Sequence, residues 1–418
     1  MAAAFISGIA IGSAVGARLA RRVAHPALWL AGTLVLVAVA GSVAGWFAAS
    51  RLPLIIAVQV ADPNAAFAPV VLRQALGIAL LLLPMTFALG AAFPLALETA
   101  SAGIGTAGRD AARVYAANTV GAIAGALAGG FVLVPELGLH GTFVQVSRLA
   151  TIGGGIVAAV ALGPQAATSP RARGSIVAIA VACGALALVV NIPAWDRELL
   201  ISGAYKYAPY IRADDLEASL RAGRLEYYKE GAAATVSVRR LAGTVSLAID
   251  GKVDASNGGD MLTQRLLGLL PAVLHRDPED ICIIGLGSGV TVGSALASGA
   301  VRHADVVEIS PEVVEASAFF EQENGGALRA PGVRLVVGDG RSHLLRSRRR
   351  YDVIVSEPSN PWMAGVAALF TREFFEAARA RLKPDGLLCQ WAHTYDMSPD
   401  DLKSIVRTFA LVFPQGSM

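Results

Sequence analysis

The chain has 418 residues, of which 54% are hydrophobic and only 16% charged, and its formal net charge is +3. Soluble proteins carry about 25% charged residues, so this balance excludes an ordinary soluble protein. A charge of +3, with no Lys/Arg block interleaved with aromatics, speaks against a nucleic-acid partner. The charge is unevenly spread. Long uncharged runs fill the first half, and from Trp195 onward the density is that of a globular domain.

A bilayer-spanning helix needs about 20 mostly apolar residues. Six stretches approach this: 2–20, 27–49, 72–97, 114–134, 139–163 and 175–193. They are too many and too long for a cleaved leader. Glycine and alanine are dense in them, as in AANTVGAIAGALAGG, which predicts a packed bundle with lipid around it, because small residues let helices approach closely. Arg148 lies within the fifth stretch and reads as a side chain that snorkels or pairs inside the bundle, with a substrate contact as the alternative. Arg18, Arg21 and Arg22 follow the first stretch, Arg109 and Arg113 precede the fourth, and Arg171 and Arg173 precede the sixth. The positive-inside rule places these loops in the cytoplasm. Six spans would then put the C-terminal domain outside, unless LPLIIAVQVA, residues 52–61, is a re-entrant or further segment. The chain opens almost inside a span and stops soon after a helix-like segment at FALVFPQGSM, the pattern expected of a fragment.

Beyond Trp195, LEYYKEG, ATVSVRR and GTVSLAIDGKV are short alternating runs separated by Gly-containing turns, a hairpin or meander pattern. The helix-like DMLTQRLLGLLPAVL follows. Next come DICIIGLG, HADVVEIS, VRLVVGDG, YDVIVSEP and GLLCQWAH, each pair separated by enough chain for a crossover helix. Apolar strands alternating with helices predict a mostly parallel sheet covered on both faces. The fold class is therefore a multi-span α-helical membrane domain followed by an α/β domain with a small N-terminal β-hairpin subdomain. The expected divisions are 1–194, 195–260 and 261–418. Cys183, Cys282 and Cys389 lie far apart in apolar runs and read as buried, inert thiols, with neither a disulfide framework nor a metal spacing.

In such sheets ligands bind at the carboxyl ends of the strands, where strand order reverses. Those ends are GLGSG (Gly285, Gly287, Ser288, Gly289), then Glu308, then GDG with Asp339 and Gly340, then SEPSNPW with Glu357, Asn360 and Trp362. Glycines allow a ligand close to the backbone. The turn by itself fits neither the full dinucleotide fingerprint nor a phosphate loop. Glu308 is placed to accept both hydrogen bonds of a ribose diol, and Asp339 to accept from an adenine amino group. Each residue also has a plain structural reading as a turn glycine or a solvated cap; in register they point to a nucleoside. Pro358 and Pro361 restrict the turn after Glu357, and Trp362 either walls a pocket, stacks on a cation or packs into the core.

LAIDGK, IIGLGSGVT, VVEISPEVVE, VVGDGR, YDVIVSEPSNP and LFTREFFEAARARLKPDG together resemble the spermidine/spermine synthase family, the polyamine aminopropyltransferases. GARLARR and VYAANTVGAIAGALAGGFVL are similar to its bacterial membrane branch, in which a multi-span domain precedes a synthase-like one; the resemblance implies a Rossmann-like, methyltransferase-type α/β fold for the latter. The resemblance implies an adenosyl sulfonium donor, decarboxylated S-adenosylmethionine or S-adenosylmethionine itself, and no metal. It implies donor contacts at Gly285, Gly287, Gly289, Glu308, Asp339 and Gly340, with Ser288 where the family's glycine turn carries an aspartate. The family's Tyr-His pair falls on Thr263 and Gln264, and its two strand-four aspartates on Glu357 and Asn360. A diammonium substrate needs several carboxylates to replace its hydration, so putrescine is expected to be a poor acceptor. Glu357 is the candidate proton acceptor, Gln264, Asp254, Asn360 and Trp362 are candidate acceptor contacts, and His393 and Tyr395 stand behind them. Should Glu357 fail, Asp254, Asp260 or His393 would have to supply the chemistry.

Three readings stay open. One is aminopropyl transfer to a small-molecule amine; another is methyl or other group transfer to a membrane-borne acceptor; the third is a transporter or sensor that only binds the nucleoside. The expected location is the bacterial inner membrane, with the α/β domain on the cytoplasmic side where the donor is found. A homo-oligomer stays open as well.

Overall fold

The structure, a computed structural model, describes residues 2–62, 66–101, 106–163, 181–212, 215–363 and 365–417. It divides into two compact units, residues 1–221 and 222–418.

The first unit is helical. Its long elements are α1 (Ala2–Ala20), α2 (Pro26–Ser50), α3 (Leu52–Ala61), α4 (Phe67–Ala100), α5 (Ala107–Ala128) and α6 (Val134–Leu162). Glycine spacing explains how α1 meets α4. Gly8, Gly12 and Gly16 recur every fourth residue and are buried. A Cβ on Gly12 would lie 2.1 Å from the Phe87 carbonyl oxygen, and one on Gly90 2.2 Å from that of Ile9. The two backbones therefore touch directly, which only glycine permits. Between α2 and α6, Ser42 donates to Ser147 across 2.9 Å.

Among the described residues, four helical stretches are long and apolar enough to cross a membrane: Ala2–Ala20, Pro26–Ser50, Phe67–Ala100 and Ala107–Leu162. The fourth and fifth apolar runs of the sequence share the last of these. The fourth run ends in a π-helical turn, Gly129–Leu133, and between the two runs lies a break at Gly138, whose φ of 70° and ψ of 175° leave the helical region. Of the sixth run, 175–180 lie outside the described residues, as do Arg171 and Arg173; of the remainder, Val181–Val190 forms a short helix. Cys183 sits on it and is exposed, and Cys389 is only partly buried, which corrects the expectation of three buried thiols. The Arg148 Nε finds no hydrogen-bond partner among the described residues. LPLIIAVQVA is α3. At about 1.5 Å per residue its 10 residues cannot span a bilayer, and its Ala57 is buried with Leu199, Ala204, Ala208, Leu216 and Leu220.

The second unit opens with an antiparallel meander, β1 (Arg224–Glu230), β2 (Thr235–Leu241), β3 (Thr244–Ile249) and β4 (Lys252–Ser256). The turns Ala242–Gly243 and Asp250–Gly251 have positive φ at both residues, the geometry that matches the twist of a two-residue hairpin. Alternation turns Val236, Val238, Val245 and Leu247 inward. After the helix Met261–Leu274 come five strands: β5 (Asp280–Ile284), β6 (His303–Glu308), β7 (Val333–Val337), β8 (Tyr351–Ser356) and β9 (Leu382–Gln390). All pair in parallel in the order β7-β6-β5-β8-β9. β8 is buried throughout, its Asp352 and Ser356 included. β9 begins earlier than GLLCQWAH suggests: Tyr351 faces Leu382 but Val353 faces Leu387, so Lys383–Gly386 is looped out of the pairing. The chain leaves β5 first toward β6 and later toward β8, so strand order reverses between β5 and β8.

Candidate active site

The reversal point brings Gly285 and Glu357 together. Glu357 donates its backbone N–H to the Ile284 carbonyl at 2.9 Å. A Cβ on Gly285, where φ is +96°, would lie 2.7 Å from the Glu357 carbonyl oxygen. Glycine is required there twice over, by conformation and by the neighbouring backbone. β4 crosses the turn from above, with the Ala255 Cβ 3.6 Å from where a Gly287 Cβ would be.

Along the sheet edge the predicted residues stand in strand order: Asp339 after β7, Glu308 at the end of β6, the glycine turn after β5 and Glu357 after β8. Neighbouring strands lie about 4.8 Å apart, so the row has the reach of a nucleoside. Glu308 is buried and accepts from the Leu286 N–H at 3.0 Å and the Ser310 N–H at 2.8 Å. Burial raises its carboxyl above the ordinary range, and those backbone donors partly oppose the shift. Asp339 is exposed and caps the helix Gly340–Arg346 by accepting from the Ser342 N–H at 2.7 Å. Gly340 has no room for a side chain, since its Cβ would lie 2.4 Å from the Ile284 Cγ2.

Two predicted contacts are engaged inside the protein. Gln264 donates to the Ser256 carbonyl and to Asp260, both at 2.8 Å. Ser288 donates to the Gln264 side-chain oxygen. Both residues are buried. Gln264 therefore holds β4 against the glycine turn, and its amide has little capacity left for a ligand.

The other side of Glu357 is different. Asn360 is 0% exposed, yet neither of its amide atoms has a hydrogen-bond partner among the described residues. The same holds for the buried Ser356 Oγ, Gln390 Oε1, Asp254 Oδ2 and Glu357 Oε2. Ser356 pairs with Gln390 across β8 and β9. Asp254 is tied to the same turn, accepting from the Ser359 hydroxyl at 2.8 Å. Buried polar groups are bonded in the great majority of cases, so this concentration marks a place where a ligand completes the bonding. Burial pushes the Glu357 carboxyl up to about 7, with Thr291 opposing and the charges of Asp260 and Glu308 adding to the rise. Trp362 is 49% exposed, so it is not a core residue. The Trp391 indole N–H donates to His393 at 3.2 Å, and His393 meets Tyr395 edge-on at 4.9 Å.

Sequence reasoning missed Lys252, Ser356 and Gln390. Lys252 is buried, forms an ion pair with Asp254 and donates to Ser359 at 3.4 Å. A signal for it exists: it stands two residues before Asp254 in a strand, hence on the same face.

At the opposite end of the sheet, among the described residues, His275, Asp352 and Asp385 bring donor atoms within 4.8 Å of one another. His275 Nδ1 accepts the Asp277 N–H at 3.1 Å, which leaves the proton of a neutral ring on Nε2, the atom facing Asp385 at 3.7 Å. A metal-bound histidine donates from its second nitrogen. This one accepts there, and its Nε2 has no hydrogen-bond partner among the described residues.

A parallel sheet with a glycine turn on its first strand and acids on the next two defines an α/β domain with a candidate ligand site at the carboxyl ends of its strands. Residues 261–418 match, more particularly, the family model of the spermine/spermidine synthase domain. Polyamine aminopropyltransferase 2 of Hyperthermus butylicus is 33% identical over 170 residues, covering 40% of this chain and 56% of that protein. The protein of the same name from Pseudomonas aeruginosa is 34% identical over 173 residues, covering 40% and 49%. The chain thus spans about half the length of these relatives. Among solved structures, spermidine synthase from Thermotoga maritima aligns with a TM-score of 0.42 and 24% identity over 46% of this chain and 65% of that one.

Proposed function

We propose that the chain is a membrane-anchored transferase that moves an aminopropyl group from decarboxylated S-adenosylmethionine to an amine. The observation that carries this reading is Glu357: a carboxyl at the strand reversal, beside the glycine turn, with a buried unbonded oxygen and an affinity for protons near neutrality. The synthase domain and the aminopropyltransferase names of its relatives support the donor class. Glu308 would hold the ribose, Asp339 and Gly340 the adenine side, and Gly285, Gly287 and Gly289 would let the nucleoside lie against the backbone.

The donor's positive sulfur is already a good leaving group. The acceptor nitrogen attacks the methylene next to sulfur, the carbon–sulfur bond breaks, and its electrons stay on sulfur as the neutral thioether methylthioadenosine. The nitrogen's proton passes to Glu357. A positioned base contributes about 10²–10⁴-fold, and holding both reactants in line contributes roughly 7–11 kcal/mol. A base is most useful when its affinity for protons lies near the working pH, which is where burial places Glu357.

The four long apolar helices support insertion in the bacterial inner membrane, and a donor found in the cytoplasm favours that side for residues 222–418. The relative shortage of free carboxylates around the acceptor favours one second reading, methyl transfer from S-adenosylmethionine to a membrane-borne acceptor. One experiment separates these. Inside-out and right-side-out membrane vesicles are given decarboxylated S-adenosylmethionine or S-adenosylmethionine with a panel of amines. Methylthioadenosine formed only by inside-out vesicles is the expected result. S-adenosylhomocysteine would establish the methyl reading, nucleoside binding without turnover a sensor. Product from right-side-out vesicles would overturn the topology, and activity only in the soluble fraction the anchoring.

A further inference from the structure

Lys252 opens β4 immediately after the Asp250–Gly251 turn, and its side chain is directed inward at 2% residue exposure. Its ammonium pairs with Asp254 and donates to the Ser359 hydroxyl, which itself donates to Asp254. Ser359 lies two residues after Glu357, and the charge of Asp254 reaches Glu308. The lysine is thus inside the proposed site, on the side of Glu357 where the unbonded polar atoms gather. Chemically its side chain is four methylenes ending in an ammonium, one half of an alkyl diamine.

We infer that Lys252 is a specificity-determining residue: as a tethered ammonium it occupies the carboxylate that would otherwise receive the far end of a diamine, so the site takes an amine with one basic nitrogen and an uncharged polar end. This rests on the aminopropyl-transfer reading. An ammonium leaves water only for a carboxylate that is free to compensate it. Asp254 is already neutralised, and a second ammonium there would meet Lys252 at close range, unscreened by solvent. Asp254 keeps one unbonded oxygen, but as a hydrogen-bond acceptor within a neutral pair. The other groups that await partners, the Asn360 amide, the Ser356 hydroxyl and the Gln390 carbonyl, are uncharged. A hydroxyl or amide on the acceptor would satisfy them; an ammonium would satisfy only the acceptors among them.

The test is calorimetry on the full-length protein in detergent, loaded with methylthioadenosine and titrated with putrescine or with 4-amino-1-butanol, which differs by one terminal group. Wild type is expected to bind the amino alcohol at least about tenfold more tightly than the diamine. Lys252→Gln should gain about tenfold or more for putrescine, with methylthioadenosine affinity unchanged as the sign of an intact fold. The double variant Lys252→Gln/Asp254→Asn should lose that gain, because the freed carboxylate is gone. Wild type favouring putrescine would overturn the inference even if the single variant fails to fold. So would an unchanged preference in Lys252→Gln, or a gain that survives in the double variant. Wild type that does not bind methylthioadenosine would overturn the donor reading itself, and this inference with it.

Discussion

The two ends of the five-stranded sheet treat buried charge in opposite ways. Near the amino end, Asp305 is 1% exposed and accepts from Arg334 at 2.9 and 2.7 Å, from Arg349 at 3.0 Å and from the Tyr351 hydroxyl at 2.8 Å. Lys383 bridges Asp280 and Asp352 at 2.8 Å to each. Burial alone would raise the Asp305 carboxyl, but Arg334 and Tyr351 hold it below the usual range. At the carboxyl end, Glu357 is driven the other way and has a buried oxygen with no donor among the described residues. An ionised carboxylate with every lone pair engaged is a structural element. One held near neutrality beside unbonded amides is a group kept for something else.

Removing Asp305 should therefore damage the fold. Asp305→Ala leaves the buried Tyr351 hydroxyl without its carboxylate and two guanidinium groups without a counter-charge. Both arginines are about half exposed, so water takes up part of the loss. The expected cost is about 3 kcal/mol, the low end for breaking a buried pair, read as faster hydrogen exchange of the β5, β6 and β8 amides in the full chain. Exchange unchanged from wild type would show that the amino-end network contributes nothing to the fold.

Glu357→Gln should do the reverse, leaving the fold intact and removing activity. The amide keeps the shape and loses both the charge and the basicity. Turnover should fall about 10²-fold or more, as for a lost general base. Methylthioadenosine affinity should change much less, because the proposed ribose and adenine contacts lie at the end of β6 and after β7. Near-normal turnover would reduce the turn after β8 to a rigid connection and move the search to Asp254, Asp260 or His393.

What is legible in the sequence follows the same divide. The glycine turn, Glu308, Asp339 and Glu357 can be read because apolar strands announce themselves by their composition, and a parallel sheet fixes which end of each strand meets a ligand. Asn360 and Trp362 come with the turn. The state of a polar side chain is another matter, because it depends on neighbours from distant elements. Gln264 reads as an acceptor contact in the sequence, but Ser256, Asp260 and Ser288 take up its amide. Ser356 and Gln390 carry no signal of their own in the sequence, and pairing of β8 with β9 is what sets them side by side next to Glu357. In the helical unit the apolar runs are plain in composition. The break between two of them depends on the conformation of Gly138, one of many glycines in that half. Cys183 reads as buried because its run is apolar, whereas an apolar run in a helix says nothing about which face meets protein.

The smallest effect expected from Glu357→Gln is on stability, and its sign is opposite to that of an ordinary damaging substitution. The Glu357 carboxyl is raised from 4.5 to about 7 in the folded protein. Between those values the unfolded chain has released the proton and the folded one retains it, so stability falls as pH rises through this window and stays low above it. Each tenfold change in proton affinity corresponds to about 1.4 kcal/mol, which sets a ceiling of about 3 kcal/mol. Water reaches part of the side chain, so up to about 2 kcal/mol is the expected size. The glutamine has no proton to lose. Below pH 4.5 the two proteins should unfold alike, and at pH 8, above the folded value of about 7, the glutamine variant should be the more stable. Denaturant midpoints of wild type and variant, measured at both ends of the window, give the difference directly. A variant less stable than wild type at the alkaline end would mean that the folded protein compensates the Glu357 charge without a ligand, and the contrast between the two ends of the sheet would close.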